Sequence, residues 1–111
     1  FMFQHQDWTA RYPGAWFLVV MRRGAPVGRL YVDPPGQDYR VIDIGLLPDW
    51  RGKGLGTALL GGVQRLAARD GVGVVLSVLP DNTGARALYH RLGFRPVGET
   101  PRDIAMRWSG N

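Results

Sequence analysis

The sequence predicts an α/β (α+β) domain, a mixed and mainly antiparallel sheet flanked by helices, with a strand–helix–strand unit at its centre. Three observations carry this reading. The apolar run 41–47 enters the glycine-rich turn 51–57 and leaves as a run of helical period. The β-branched run 73–79 follows that helix, and such a connection is right-handed with parallel strands. Pairs of short runs at 15–21 and 27–32, and at 95–98 and 103–108, read as hairpins outside that unit.

The elements follow in order. In 1–12, apolar residues at 1, 8 and 12 share one helical face, which predicts a short helix ended by Pro13-Gly14. The β-rich run Ala15 to Met21 and the strand Val27 to Val32 flank a turn at 22–26. Asp33 to Asp38 is a loop, because consecutive prolines exclude helix and central strand. The third strand is 40–47. Leu55, Leu59, Val63, Leu66 and Ala67 recur at helical spacing. Gly61 and Gly62 sit inside that helix at about 1 kcal/mol each against Ala; a close approach to the sheet would explain them, and the alternative is poor local stability. Gly71 suits a left-handed cap. After the strand 73–79, Pro80-Asp81-Asn82 breaks the chain direction. A second helix follows with Ala85, Leu88, Tyr89 and Leu92 on one face, closed by Gly93. A final hairpin ends in the alternating Ile104, Met106 and Trp108.

The chain has 111 residues, enough for one domain with a modest core. It has no cysteine, so disulfides and thiolate metal sites are excluded. No apolar run approaches the roughly 20 residues of a membrane span, and the expectation is a cytoplasmic protein. The net charge is +5, and Lys53 is the lone lysine among 14 basic residues. The arginines are scattered, with no run longer than the pair Arg22-Arg23. That pattern describes a solvated surface with some attraction for polyanionic ligands rather than a dedicated nucleic-acid site.

The turn Arg51-Gly52-Lys53-Gly54-Leu55-Gly56-Thr57 is the most specific feature. A helix start offers backbone N–H groups without intrahelical partners and a partial positive charge, so it suits an anion, and phosphate above all. A P-loop is excluded, since Lys53 is followed by Gly54 and Pro48 stands where a glycine would be required. The dinucleotide fingerprint fails too, because its third glycine would fall at Thr57 or Leu59. Arg-x-x-Gly-x-Gly, read as Arg51, Gly54 and Gly56, fits. The competing reading is a tight strand-to-helix turn with no ligand.

In this motif the chain resembles the GCN5-related N-acetyltransferases, the GNAT superfamily. The resemblance extends through Val41-Ile-Asp-Ile-Gly-Leu-Leu-Pro-Asp-Trp-Arg51, Leu79-Pro-Asp-Asn82, Ala87-Leu-Tyr89 and Leu92-Gly-Phe94, in the family's order. It covers roughly Tyr39 to Val97. It implies a coenzyme A pyrophosphate cradled by the backbone of Gly52, Lys53, Gly54, Leu55, Gly56 and Thr57, with Arg51 adding charge or bracing the loop. It also implies that the backbone of Leu46 and Leu47, near a bulge that Gly45 permits, holds the acyl arm and faces the developing oxyanion. The family usually opens with a strand and a helix ahead of this region. The expectation is therefore a single domain, 1–111, that lacks them, the chain being truncated, processed or a fragment.

Asn82 precedes a helix, so it reads as an N-cap. The resemblance adds a contact to pantetheine or nearby backbone. Tyr89 lies two turns on, on nearly the same face. The resemblance makes it the acid that protonates the departing thiolate, and an ordinary phenol is protonated at neutral pH. The alternative is a core tyrosine bonded to a backbone acceptor. Asp43 stands mid-strand among apolar residues, where a lone carboxylate is unusual. Strand alternation places it with Val41, Gly45 and Leu47, opposite Ile42 and Ile44. It is a candidate base or substrate binder, and the alternative is an ion pair with Arg29 or Arg40. His5 and His90 form no metal-ligand spacing, so no metal is expected.

The function implied is transfer of an acetyl group from acetyl-CoA to a primary amine by direct attack in a ternary complex. The alternatives are an inactive acyl-CoA-binding or partner-binding module of the same fold and, more remotely, a basic nucleic-acid binder. Exposed hairpin edges leave room for a homodimer.

Overall fold

The computed structural model describes the backbone of residues 2–6 and all of residues 15–33, 37–52 and 54–110. Its strands are β1 (Met2–Gln6), β2 (Trp16–Arg22), β3 (Ala25–Asp33), β4 (Tyr39–Leu46), β5 (Val74–Val78), β6 (Arg95–Glu99) and β7 (Ile104–Trp108). Helix α1 (Leu55–Asp70) joins β4 to β5, and α2 (Thr83–Arg91) follows β5. The strands form one seven-stranded sheet in the order β1-β2-β3-β4-β5-β7-β6. Every pairing is antiparallel except β4 with β5. The expected mixed sheet with a central strand–helix–strand unit is the observed one.

The helix expected over 1–12 is not formed where the chain is described. Met2–Gln6 is a strand instead, paired with β2 from Met2↔Val20 to Gln6↔Trp16. Five residues are too few for the helical period to decide, and pairing to an available strand edge satisfies the backbone. The remainder of that prediction, and the proline-rich tip of the 33–38 loop, lie outside the described residues. The β2–β3 hairpin turns through Arg23 (φ 52) and Gly24 (φ 80), two left-handed residues as a tight two-residue hairpin requires.

One apolar cluster joins the sheet to both helices. Phe94 and Leu60 are fully buried in it, with Leu30, Val32 and Leu76 on the sheet side. Leu60 was not anticipated by the helical pattern, whereas Leu55, Leu59, Val63 and Ala67 were. Gly71 caps α1 in the left-handed region (φ 73), as expected. The paired glycines of α1 do not meet the sheet. A Cβ on Gly61 or Gly62 would find only the Arg65 guanidinium, at 3.6 and 3.8 Å.

Two features of β4 position the site. Its parallel pairing with β5 runs only over Tyr39↔Val74, Arg40↔Val75 and Val41↔Leu76, and then the strands diverge. Its register with β3 also slips, since Tyr31 faces Asp43 while Val32 faces Val41, so Ile42 is the extra residue of a bulge. This corrects the expected facing of Asp43. Leu30 and Val32 are buried, so Tyr31 between them lies on the opposite face, and Asp43 goes with it. Val41 is on the helix side, and the slip separates the two residues that simple alternation had grouped.

Candidate active site

The gap between the diverging strands opens into a cavity of about 740 Å³. Ile44, Gly45 and Leu46 of β4 form one wall, the 51–57 turn its end, and α2 the other wall through Asn82, Leu88 and Tyr89. A short 3₁₀ turn, Pro48–Trp50, links β4 to the glycine-rich segment. Proline at its start and the Trp50 N–H to Leu47 carbonyl bond, at 2.9 Å, fix that link.

Gly52 (φ 72) and Gly54 (φ 81) are both left-handed, which is why glycine stands at these positions. Gly54 is the N-cap of α1 and supplies no capping side chain. The first intrahelical bond runs from Ala58 N–H to the Gly54 carbonyl at 3.0 Å. The N–H groups of Leu55, Gly56 and Thr57 therefore have no partner within the helix. Gly56 comes close to α2, and a Cβ there would lie 3.5 Å from Leu88 Cδ2. Arg51 braces the turn by donating from Nε to the Leu46 carbonyl at 3.2 Å. Lys53 lies outside the described residues.

The β4 backbone has a definite polarity. Leu47 N–H donates to the Val27 carbonyl at 2.9 Å, so it is committed to β3 and is not a free donor. In an antiparallel ladder successive N–H groups point to opposite edges. With Leu47 directed at β3, the Leu46 and Ile44 N–H groups point at the gap that β5 has left. Leu46 also lines the cavity, and Leu47 does not.

Asn82 is the N-cap of α2, its Oδ1 accepting from Ala85 N–H at 3.2 Å. It lines the cavity as well. Tyr89 is buried, 7% exposed, and its ring packs against Phe94 at 5.9 Å between centroids. It has no hydrogen-bond partner among the described residues, and no buried polar side-chain atom among them lacks a partner, so its hydroxyl meets the solvent of the cavity. Burial, and then the Asp43 charge, push the phenol above its ordinary value, so it keeps its proton.

Asp43 is not a lone carboxylate. Arg29 Nε donates to its Oδ2 at 2.6 Å, and both side chains are about half exposed, 55% and 44%. Gly45 makes this pair possible, because a Cβ there would lie 2.8 Å from Arg29 Cζ. The bulge is thus at Ile42, and Gly45 serves the arginine. No group of three or more metal-ligating side chains exists among the described residues.

The site brings together Leu46, Arg51, Gly52, Gly54, Gly56, Thr57, Asn82 and Tyr89 around one cavity. Sequence reasoning missed Gly84, Leu88 and Arg91, which also line it at i, i+4 and i+7 of one α2 face. That spacing was the signal available. No helix of the described residues is long and apolar enough to cross a membrane.

The comparisons with known proteins fit a mixed sheet split over a glycine-rich helix start. The model of the Acetyltransferase (GNAT) family matches residues 1–94, and the chain belongs to that family. The N-alpha-acetyltransferase RimI of Mycobacterium tuberculosis is 43% identical over 74 residues, covering 67% of this chain and 45% of that protein. The mycothiol acetyltransferase of Saccharomonospora viridis is 41% identical over 75 residues, 67% of this chain and 21% of that protein. The chain thus spans less than half the length of these curated relatives. A GNAT family acetyltransferase from Elizabethkingia anophelis with acetyl-CoA bound superposes with a TM-score of 0.79 at 16% identity, covering 98% of this chain and 97% of that one. The PaiA N-acetyltransferase from Thermoplasma acidophilum in complex with coenzyme A gives 0.78 at 19% identity, covering 86% and 60%. At these identities the structures speak for the fold.

Proposed function

We propose that this chain transfers an acetyl group from acetyl-CoA to a primary amine, by direct attack with both substrates bound. The observation that carries the reading is the uncapped start of α1, where Gly54, Gly56 and Thr57 line the same cavity as an unbonded, protonated Tyr89. Acetyl-CoA supplies the activated acyl group. The fit of the turn is chemical, since free amides, left-handed glycines and the nearby Arg51 suit a diphosphate.

The residues then divide the work. The amides of 54–57 and Arg51, with Lys53 and Gly52 beside them, hold the anionic end. The Leu46 N–H, rather than the committed Leu47 N–H, faces the acyl oxygen and stabilises charge developing there. Asn82 orders the start of α2 and turns its side-chain amide to the pantetheine arm. Tyr89 gives its proton to the leaving sulfur. Asp43, on the far face of β4, receives the ammonium of the acceptor and takes or relays its proton. The chain has no cysteine, so no acyl-thioester enzyme forms on it.

The test is calorimetry with acetyl-CoA together with thiol release over an amine panel. Binding and turnover support the reading, and the absence of binding ends it. One observation favours a second reading, a binding module without turnover: Asp43 is already neutralised by Arg29. Tight coenzyme binding with no thiol released on any amine would select it.

A further inference from the structure

A second cavity, of about 320 Å³, lies against β4 and shares Gly45 and Leu46 with the first. Its walls are Phe17, Val19 and Pro26, with Arg29 the one charged side chain among its described lining. Leu47, 51% exposed, forms part of its rim. The junction of the two cavities is therefore Gly45–Leu46, the segment assigned above to the acyl arm. An acceptor seated in the second cavity would reach the acyl group there.

The chemistry at that junction is specific. Arg29 uses Nε on Asp43 Oδ2, and its two terminal nitrogens have no hydrogen bond to the described residues. Asp43 Oδ1 accepts no hydrogen bond from them either. Asp43 lines neither cavity but is bonded to Arg29, which lines the second, so the pair offers an anionic acceptor beside cationic donors at the edge of an apolar wall. A ligand satisfying all three carries an ammonium, a carbonyl or carboxylate oxygen on the adjacent carbon, and an apolar side chain. A polyamine or a lysine-rich segment satisfies only the first and meets Arg29 and a net charge of +5.

We infer that the acceptor is the α-amine of an apolar amino acid or of a peptide that begins with one. The ammonium docks on Asp43, the neighbouring oxygen on the Arg29 terminal nitrogens, and the side chain on Phe17, Val19 and Pro26. The ammonium gives one proton to Asp43 or to water. The amine nitrogen bonds the acyl carbon, the carbon–sulfur bond breaks, and the sulfur takes the Tyr89 proton. The nitrogen then sheds its second proton to leave the neutral amide, and that proton restores the Tyr89 phenol through water. This rests on the proposed acetyl transfer and names its substrate class.

The experiment measures kcat/KM by thiol release for L-phenylalaninamide, L-phenylalanine, a Phe-Ala-Ala peptide amide, glycinamide, phenethylamine and spermidine. Expected is a preference of about tenfold or more for the phenylalanyl amines over glycinamide, phenethylamine and spermidine, because a site built to bond an oxygen rejects an analogue without one. The free acid and the peptide amide separate the two sources, an amino acid or a polypeptide N-terminus. Arg29→Gln should reduce the phenylalaninamide-to-phenethylamine ratio to near one, and Val19→Asp or Pro26→Asp the phenylalaninamide-to-glycinamide ratio. Acetyl-CoA affinity of each variant, measured in parallel, certifies its fold. Preference for spermidine, ratios untouched by these variants, or bound acetyl-CoA with no transfer to any α-amine overturns the inference alone. Failure of acetyl-CoA to bind overturns the acetyl-transfer reading with it.

Discussion

Arg29 crosses β3 to β4 on the diagonal and donates to Asp43 at 2.6 Å, its guanidinium lying over the bare backbone of Gly45. Cross-strand diagonal neighbours lie within reach of a long side chain. Both partners are about half solvated, so the pair adds little to stability. Arg29 lines the second cavity, and the role proposed for the pair is to hold the acceptor.

Asp43→Asn should accordingly leave urea-denaturation stability within about 1 kcal/mol of the parent. Its kcat/KM for amines should fall by about a hundredfold, the scale of a lost proton acceptor. Equal turnover in the two proteins would leave Asp43 as a partner of Arg29 and nothing more.

Tyr89→Phe should lower kcat by about a hundredfold with coenzyme affinity unchanged. Stability should barely move, since the hydroxyl has no partner among the described residues to lose. In the proposed role the acid form is the active one, and the phenol is held above its ordinary value by burial and then by Asp43. Activity should therefore persist to about pH 10 before any loss from this group. A marked drop in melting temperature, or an unaltered rate, would make Tyr89 a packing residue.

Gly54 is left-handed and has open space around it, so a side chain there meets backbone strain but no collision. Gly54→Ala should cost about 1 kcal/mol of stability and leave coenzyme binding recognisable. Gly54→Glu adds a negative charge against a diphosphate and should reduce affinity below calorimetric detection. Unchanged affinity in the glutamate variant would remove the turn from the site.

Gly61 and Gly62 lie mid-helix and face only a flexible arginine at ordinary contact distance. Replacing each with alanine should stabilise the chain by up to about 1 kcal/mol, with a higher melting temperature and unchanged coenzyme affinity. A lower melting temperature would mean that α1 cannot accept the added methyl group.

Asp38 accepts from Arg107 Nε at 2.8 Å and from Gly73 N–H at 2.9 Å. The Arg107 bond first, and then the Gly73 bond, hold its carboxyl below the usual range, against the effect of burial. A carboxyl depressed on folding contributes stability above its unfolded value and loses it as pH falls through the folded one. Thermal melts should be level near neutrality and decline below about pH 4. Asp38→Asn should flatten that acid limb, and identical limbs in both proteins would refute the assignment.

The βαβ unit, the phosphate-type turn and the α2 cap were legible because each is local: a period, a left-handed glycine, a residue before a helix. Three matters were not. The Met2–Gln6 strand depends on the edge of β2, which no window of five residues can encode. The side of β4 that carries Asp43 depends on the extra residue at Ile42, and a bulge leaves no mark in the alternation. The choice between Leu46 and Leu47 as donor depends on which amide Val27 claims. Arg91 and Leu88 were missed for a related reason, since helical spacing gives a face but not the cavity it meets.

The bonds that join β4 to β5 and β7 gather at one end. Tyr39 N–H donates to the Gly73 carbonyl, Asp38 holds Gly73 and Arg107, and the Tyr39 hydroxyl reaches Asp70 at the foot of α1. Beyond Val41 and Leu76 nothing in the ladder ties the strands. The sheet is therefore built like tongs, two plates riveted at the hinge with free jaws. A ligand wedged between the jaws therefore displaces no ladder bond between β4 and β5.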